Sequence, residues 1–273
     1  MTVAEHMALW RKKEPWFYSP LIFNNYIYFL IFGAILSLTI INIIVYPVIH
    51  NIAALFIGYF LAQFIFQMGH MTTHALYIES PVEDWEPGVF VAYLHHYEHP
   101  KAIYKYWLNH RLNFLMQTKG STVAYGLVWI LPFLLFGKII LPLYGWFLFW
   151  FAMVEPVHEY YHVPKNIRKS HFSAPMYYWL RSLEYVGILD EQHHIEHHKH
   201  SIDNMEEATK FSDLYSPFAD RFFDYLWSIA LKVKAKRIFK IKPIRKTIYL
   251  QGIVLLPLIF SFSSFIFLYI IKI

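Results

Sequence analysis

Five long stretches of this chain are almost entirely without charged residues: Leu21–Ile49, Ile52–Met68, Thr122–Phe136, Ile139–Val154 and Ile248–Ile271. A helix needs about 20 mostly apolar residues to cross a hydrocarbon core about 30 Å thick. Lipid offers no partner to a backbone N–H or C=O, so a segment that crosses it satisfies its own hydrogen bonds as a helix or joins a closed barrel. Runs this long favour the helix. Of the 273 residues, 57% are hydrophobic and only 16% charged, too apolar a balance for an ordinary water-soluble domain. The expected fold is therefore all-α: an integral membrane helical bundle of about four to five segments, near 21–47, 52–70, 122–136, 139–158 and 248–271, forming a single membrane domain over 1–273. The first and last runs are long enough outright, and the second is if it continues to His70. The two middle runs are short; spanning is favoured over a tilted or re-entrant pair.

Charge placement orients this bundle. Met1–Pro20 carries Arg11, Lys12 and Lys13 and no apolar core before a small-residue cleavage site, so Leu21 onward reads as a retained anchor rather than a cleaved leader. With Arg11–Lys13 on the cytoplasmic side, a turn near Tyr46–Asn51 containing Pro47 and a second turn at Gly137 and Lys138 leave only Lys138 and Lys272, of 24 lysines and arginines, on the far side. Segments 80–121 and 163–246 then form a cytoplasmic cap. Lys232–Lys246 holds eight positive charges and no acid. It reads first as a topology signal and second as a patch for anionic headgroups or an acidic electron donor. Nucleic acid is not an expected partner for a patch held against a bilayer. There is no cysteine, which excludes disulfides and thiolate ligands.

The same threading gathers the histidines. Ten of them fall in four clusters with metal-ligand spacing: His70 and His74; His95, His96 and His99; His158 and His162; His194, His197 and His198. Residues three or four apart share a helix face, so each pair can aim two imidazoles at one ion. The clusters end or follow apolar runs on one side of the membrane. Imidazole suits zinc, copper, iron or nickel. Ten ligands overfill a single four-coordinate site and suit two neighbouring metals. A di-metal centre beneath an apolar bundle suggests oxygen activation on a lipid chain, with Phe64, Phe66, Trp146, Phe147, Trp150 and Phe151 available to line its path. Asp190 stands four residues before His194 and is a candidate to orient that imidazole; Glu159 and His193 are further candidates around the metals, with Glu155 and Glu196 behind them. His110 and His171 read as interfacial histidines, and His6 and His50 as non-ligands.

His158-Glu159-Tyr160-Tyr161-His162 also matches H-E-x-x-H, the zinc metalloprotease signature in which the glutamate is the general base. That reading explains two histidines and leaves eight, and Pro156 just before it is expected to bend the helix. A metal transporter or sensor is the non-enzyme reading; it would be expected to place its polar ligands near mid-membrane.

Three stretches resemble a known group. Gly69-His70 through Pro81 with Leu94-His95-His96 and Pro100, Val157-His158 through His162, and Gly187-Ile188-Leu189 through His197-His198 resemble the Kua/CarF-type lipid desaturases, the plasmanylethanolamine desaturase-like branch of the integral-membrane diiron desaturase and hydroxylase superfamily. Phe218–Trp227 resembles the aromatic helix that follows, so the resemblance covers roughly Ala53–Trp227. It implies two iron ions held by the ten histidines, O2 as co-substrate, an external electron donor of cytochrome b5 or ferredoxin type, and a membrane lipid substrate. Formation of the vinyl-ether bond of an alkyl ether phospholipid is the reaction of the animal branch. The chain departs from the pattern at His74, where the animal enzymes have aspartate, at the additional His99, and at Lys199–Asn204, which lacks the proline that follows the last cluster. The expected activity is oxygen-dependent desaturation of a membrane lipid chain, in an inner membrane if bacterial or the endoplasmic reticulum if eukaryotic, with the site facing the cytoplasm. A diiron lipid, sterol or carotenoid hydroxylase is the near alternative, and an intramembrane zinc protease the distant one.

Overall fold

The computed structural model describes residues 25–79, 129–200 and 244–272. Among them every element is helical: α1 (Asn25–Val45), α2 (Val48–Glu79), α3 (Ile130–Phe136), a 3-10 turn (Gly137–Ile140), α4 (Leu141–His162), α5 (Arg168–His171), α6 (Ala174–Tyr185), α7 (Glu191–His200) and α8 (Ile244–Lys272). Two stretches are long and apolar enough to cross a membrane, Val48–Gln67 with mean hydropathy 1.8 and Ile130–His162 with 1.7; Gly33–Val45 and Leu256–Lys272 are shorter apolar stretches. The chain divides into two compact units.

One unit comprises residues 20–65, 116–153 and 241–273. Its helices are apolar all round, and a few polar side chains join them. Asn42 Nδ2 donates to the Leu141 carbonyl (2.9 Å), Trp146 Nε1 to Asn51 Oδ1 (3.3 Å) and Trp150 Nε1 to the Leu55 carbonyl (3.2 Å). The turn between α1 and α2 is shorter than its sequence suggests: only Tyr46 and Pro47 lie outside the helices. Asn51 makes this possible. Its amide reaches the carbonyls of Asn42, Tyr46 and Pro47 at 3.1–3.3 Å, adding side-chain bonds across the turn to the backbone bonds that Asn42 and Pro47 already accept.

The expected reversal at Gly137 is present. Gly137 has φ +66, a conformation that costs glycine little and other residues more. Trp129 and Phe147 lie 18 residues apart, which a straight helix would separate by roughly 27 Å, yet their ring centroids are 5.7 Å apart. Ile130–His162 is thus a folded-back pair, and α4 supplies its long arm of 22 residues. Tyr46 Oη donates to the Lys138 carbonyl at the turn (2.7 Å). Trp129 stacks on Phe260 (4.9 Å) and Phe147 meets Phe260 edge-on (5.0 Å), so α8 closes on the hairpin through three buried rings. Trp146, Phe147, Trp150 and Phe151, expected to line a lipid path, pack against neighbouring helices and one another. Outward faces carry exposed Ile44, Val45, Val48, Phe56, Leu134 and Phe262.

Close helix contact sets one prediction. A Cβ on Gly58 would lie 2.8 Å from the Phe147 backbone nitrogen and 3.0 Å from the Trp146 carbonyl carbon, and backbone cannot swing aside. Gly58→Ala is expected to cost about 1–3 kcal/mol through this overpacking. Gly33→Ala, with nothing within 4 Å of its Cβ, is expected to cost nothing. Thermal unfolding of the two variants in detergent checks the contrast.

The second unit comprises residues 1–19, 66–115 and 154–240. Pro156 lies inside α4 and denies the Ala152 carbonyl its usual donor, but the helix continues to His162. Helix α6 ends on Gly187 at φ +75: Gly187 N–H donates to the Glu184 carbonyl (3.1 Å) and Ile188 N–H to that of Leu183 (2.9 Å), the paired bonds of a Schellman ending. The chain then turns directly into α7.

Candidate metal centre

Two helices supply the centre, each through an i, i+4 pair. His158 and His162 occupy the last turns of α4, and His194 and His198 stand on one face of α7. Their four ligand atoms all lie within 4.8 Å of one another. Nε2 of His162 is 3.3 Å from that of His158 and 3.0 Å from that of His194, which is in turn 3.0 Å from that of His198. His158, His194 and His198 are buried.

Protons satisfy this arrangement poorly. An imidazole nitrogen is either an N–H donor or a lone-pair acceptor. His162 and His194 each meet two other Nε2 atoms, so a single proton or lone pair on each must serve two neighbours at once. A cation at the point of convergence uses every lone pair together. Metal–nitrogen bonds of about 2.0–2.1 Å place ligand nitrogens of a tetrahedral site roughly 3.3–3.4 Å apart; three separations here are 3.0–3.3 Å, and the whole set lies within 4.8 Å. The four residues fit a metal ion, and the all-imidazole set leaves open which one.

Neighbouring groups hold the two helices in place. Asp190 Oδ1 accepts the His193 backbone N–H (3.2 Å), so this carboxylate oxygen caps α7. Tyr161 Oη accepts the Asp190 N–H (3.1 Å), and its ring stacks on His194 at 5.0 Å. Arg168, which sequence reasoning missed, is 3% exposed. It donates from Nε to the Val163 carbonyl (2.8 Å) and from Nη2 to Glu191 Oε1 (2.8 Å), and lies 4.2 Å from the Tyr160 ring centroid. One guanidinium thus links the residue after α4 to the first residue of α7. His171, read as an interfacial histidine, places Nε2 2.8 Å from Glu159 Oε1.

His197 is buried beside the cluster, its ring 6.1 Å from that of His194 and 5.6 Å from that of His198, and is not among the four converging ligands. His70 and His74 stand one turn apart on α2, just past its apolar part. His95, His96, His99 and His110 lie outside the described residues, as does His6. His50 packs against Tyr46 and Phe267 in the other unit. Burial pushes the His193 imidazole down, against the opposing charge of Asp190, which favours its neutral form. Glu196 accepts from Gln192 (2.8 Å).

Glu184 gives the unit a pH dependence. Burial would raise its carboxyl, but hydrogen bonds from Tyr160 and Arg181, together with the charges of Arg181 and Arg168, hold it below its ordinary value of 4.5. A carboxylate depressed in the folded state contributes stability above its unfolded pKa and loses it as pH falls through the folded one. The stability gap between the native chain and Glu184→Gln is therefore expected to be full near pH 7 and to shrink as pH falls below the ordinary value of 4.5, measured by thermal unfolding from neutral to acid pH.

No protein-family model, curated protein or solved structure matches the chain.

Proposed function

We propose that this chain is a membrane-bound, metal-dependent oxidoreductase that desaturates a lipid chain with molecular oxygen. The observation that carries the reading is the convergence of His158, His162, His194 and His198 at the end of an apolar helix. Exposed aliphatic faces on α1, α2, α3 and α8 support a bundle of four to five segments in lipid, with 80–121 and 163–246 as its cytoplasmic cap. Iron at these histidines, with His70, His74, His95, His96, His99 and His197 completing a second site, would supply the oxidising power that an unactivated carbon demands. His158, His162, His194 and His198 fix the position of the chemistry, and Asp190, Tyr161 and Arg168 hold their helices. Burial of the cluster restricts water at the reacting centre. Electrons would come from a cytochrome b5 or ferredoxin type of donor, and the resemblance to the Kua/CarF group makes an alkyl ether phospholipid the first substrate to test.

The protease reading fares worse. It accounts for His158 and His162 but leaves His194 and His198, which converge on the same point, unexplained. Glu159, the required base, faces His171.

Lipid mass spectrometry on cells expressing the native chain or His194→Ala tests the proposal. The expected product, lighter by two hydrogens and acid-labile if a vinyl ether, is absent in the variant. A product heavier by one oxygen replaces desaturase with hydroxylase. An unchanged lipid profile, with zinc as the only metal in the purified protein, overturns both.

A further inference from the structure

We infer that helix α6 lies along the surface of an anionic bilayer. Leu180 and Leu183 face inward and are buried. The opposite side presents Tyr178 at 56% exposure, Trp179 at 39% and Tyr185 at 88%, with Val186 beyond the last turn at 63%. At about 100° per residue Tyr178, Ser182 and Tyr185 share one face, with Trp179 at its edge. Single exposed apolar residues are ordinary, but here two tyrosines two turns apart, with Ser182 between them, share the outward face of one helix. Tyrosine and tryptophan combine an apolar body with a polar tip, and they concentrate at the depth where headgroups meet acyl chains.

Charge selects the occupant. From Val163 to Glu191 the chain has four cations and three carboxylates. Lys165, Lys169 and Arg181 are exposed; Lys165 pairs with Glu191 (2.9 Å) and Arg181 with Glu184, each carboxylate lying deeper than its cation, and Asp190 caps α7. Among the described residues of this stretch the exposed charges are cations and the carboxylates lie deeper, which complements anionic headgroups. This inference rests on the membrane reading above and is independent of the metal and the reaction. It moves α6 from a water-surrounded cap to the interface.

The chain has no cysteine, so one introduced thiol takes one label. Tyr185→Cys, Phe56→Cys and Gln192→Cys, each carrying an NBD fluorophore, are reconstituted in full-length protein into vesicles containing phosphatidylglycerol and brominated phosphatidylcholine. Phe56 is an exposed side chain of the apolar part of α2, and Gln192 an exposed polar one on α7. Expected are loss of emission at position 185 with lipids brominated near the headgroup, loss at 56 with deeply brominated lipids, and no loss at 192. The loss at 185 is expected to shrink when phosphatidylglycerol is omitted; an equal loss overturns the anionic assignment. If 185 behaves like 192 while 56 is quenched, the inference fails and the membrane reading stands. If 56 also escapes quenching, the membrane reading itself fails. Blue-shifted emission at 185 without bromolipid quenching indicates a protein neighbour and overturns the proposal.

Discussion

His194→Ala is expected to weaken metal binding by roughly two to three orders of magnitude. Structural four-ligand sites bind zinc with about 10–16 kcal/mol, so one imidazole in four accounts for roughly 2.5–4 kcal/mol. His194 is the severe choice because it meets two other ligand nitrogens at 3.0 Å and stacks on Tyr161. Metal content after dialysis against graded chelator measures the effect, with Gln192→Ala as a control that keeps native affinity. Added imidazole is expected to restore much of the binding by entering the space the side chain vacates. A merely structural histidine would not respond in that way. Undiminished affinity in His194→Ala would remove it from the centre.

The parts of this molecule that were legible in its sequence are those whose signal is periodic or continuous. Uncharged runs placed α1, α2, α4 and α8, because a helix in an apolar surrounding needs no alternation of polar and apolar faces. Glycine with lysine marked the reversal at 137, and i, i+4 spacing marked the two histidine pairs that meet. Single residues acting over a distance were harder. Nothing around Arg168 distinguishes it from the neighbouring exposed Lys165 and Lys169 until the fold brings Val163, Glu191 and Tyr160 around it. His171 finds Glu159 only because the chain turns back after α4. Asp190 carries two signals: its spacing to His194 makes it a candidate to orient that imidazole, and an aspartate directly before a helical run is a preferred cap, the role its Oδ1 fills. Gly187 was legible in the same way, three residues earlier.

Arg168→Met is expected to destabilise the histidine-bearing unit by on the order of 3 kcal/mol, because removing one partner strands the other's charge away from full solvation. Glu191 retains a second cation, Lys165 at 2.9 Å, but that lysine is largely solvent-exposed and compensates weakly. Lysine at 168 is expected to recover little. Its single ammonium cannot hold the Val163 carbonyl and Glu191 together while lying flat on Tyr160, as the planar guanidinium does. Combining Arg168→Met with Glu191→Gln removes the stranded carboxylate and is expected to return part of the loss, which a double-mutant cycle of thermal unfolding resolves. Packing loss alone would predict simple addition. Metal affinity provides the second readout. Val163 follows His162 directly, and Glu191 begins the helix that carries His194 and His198, so the guanidinium spans the two halves of the site. Loosening it is expected to weaken metal binding in the single variant even though Arg168 is not one of the four converging ligands. If stability falls and affinity is unchanged, Arg168 supports the fold without setting the spacing of the histidines.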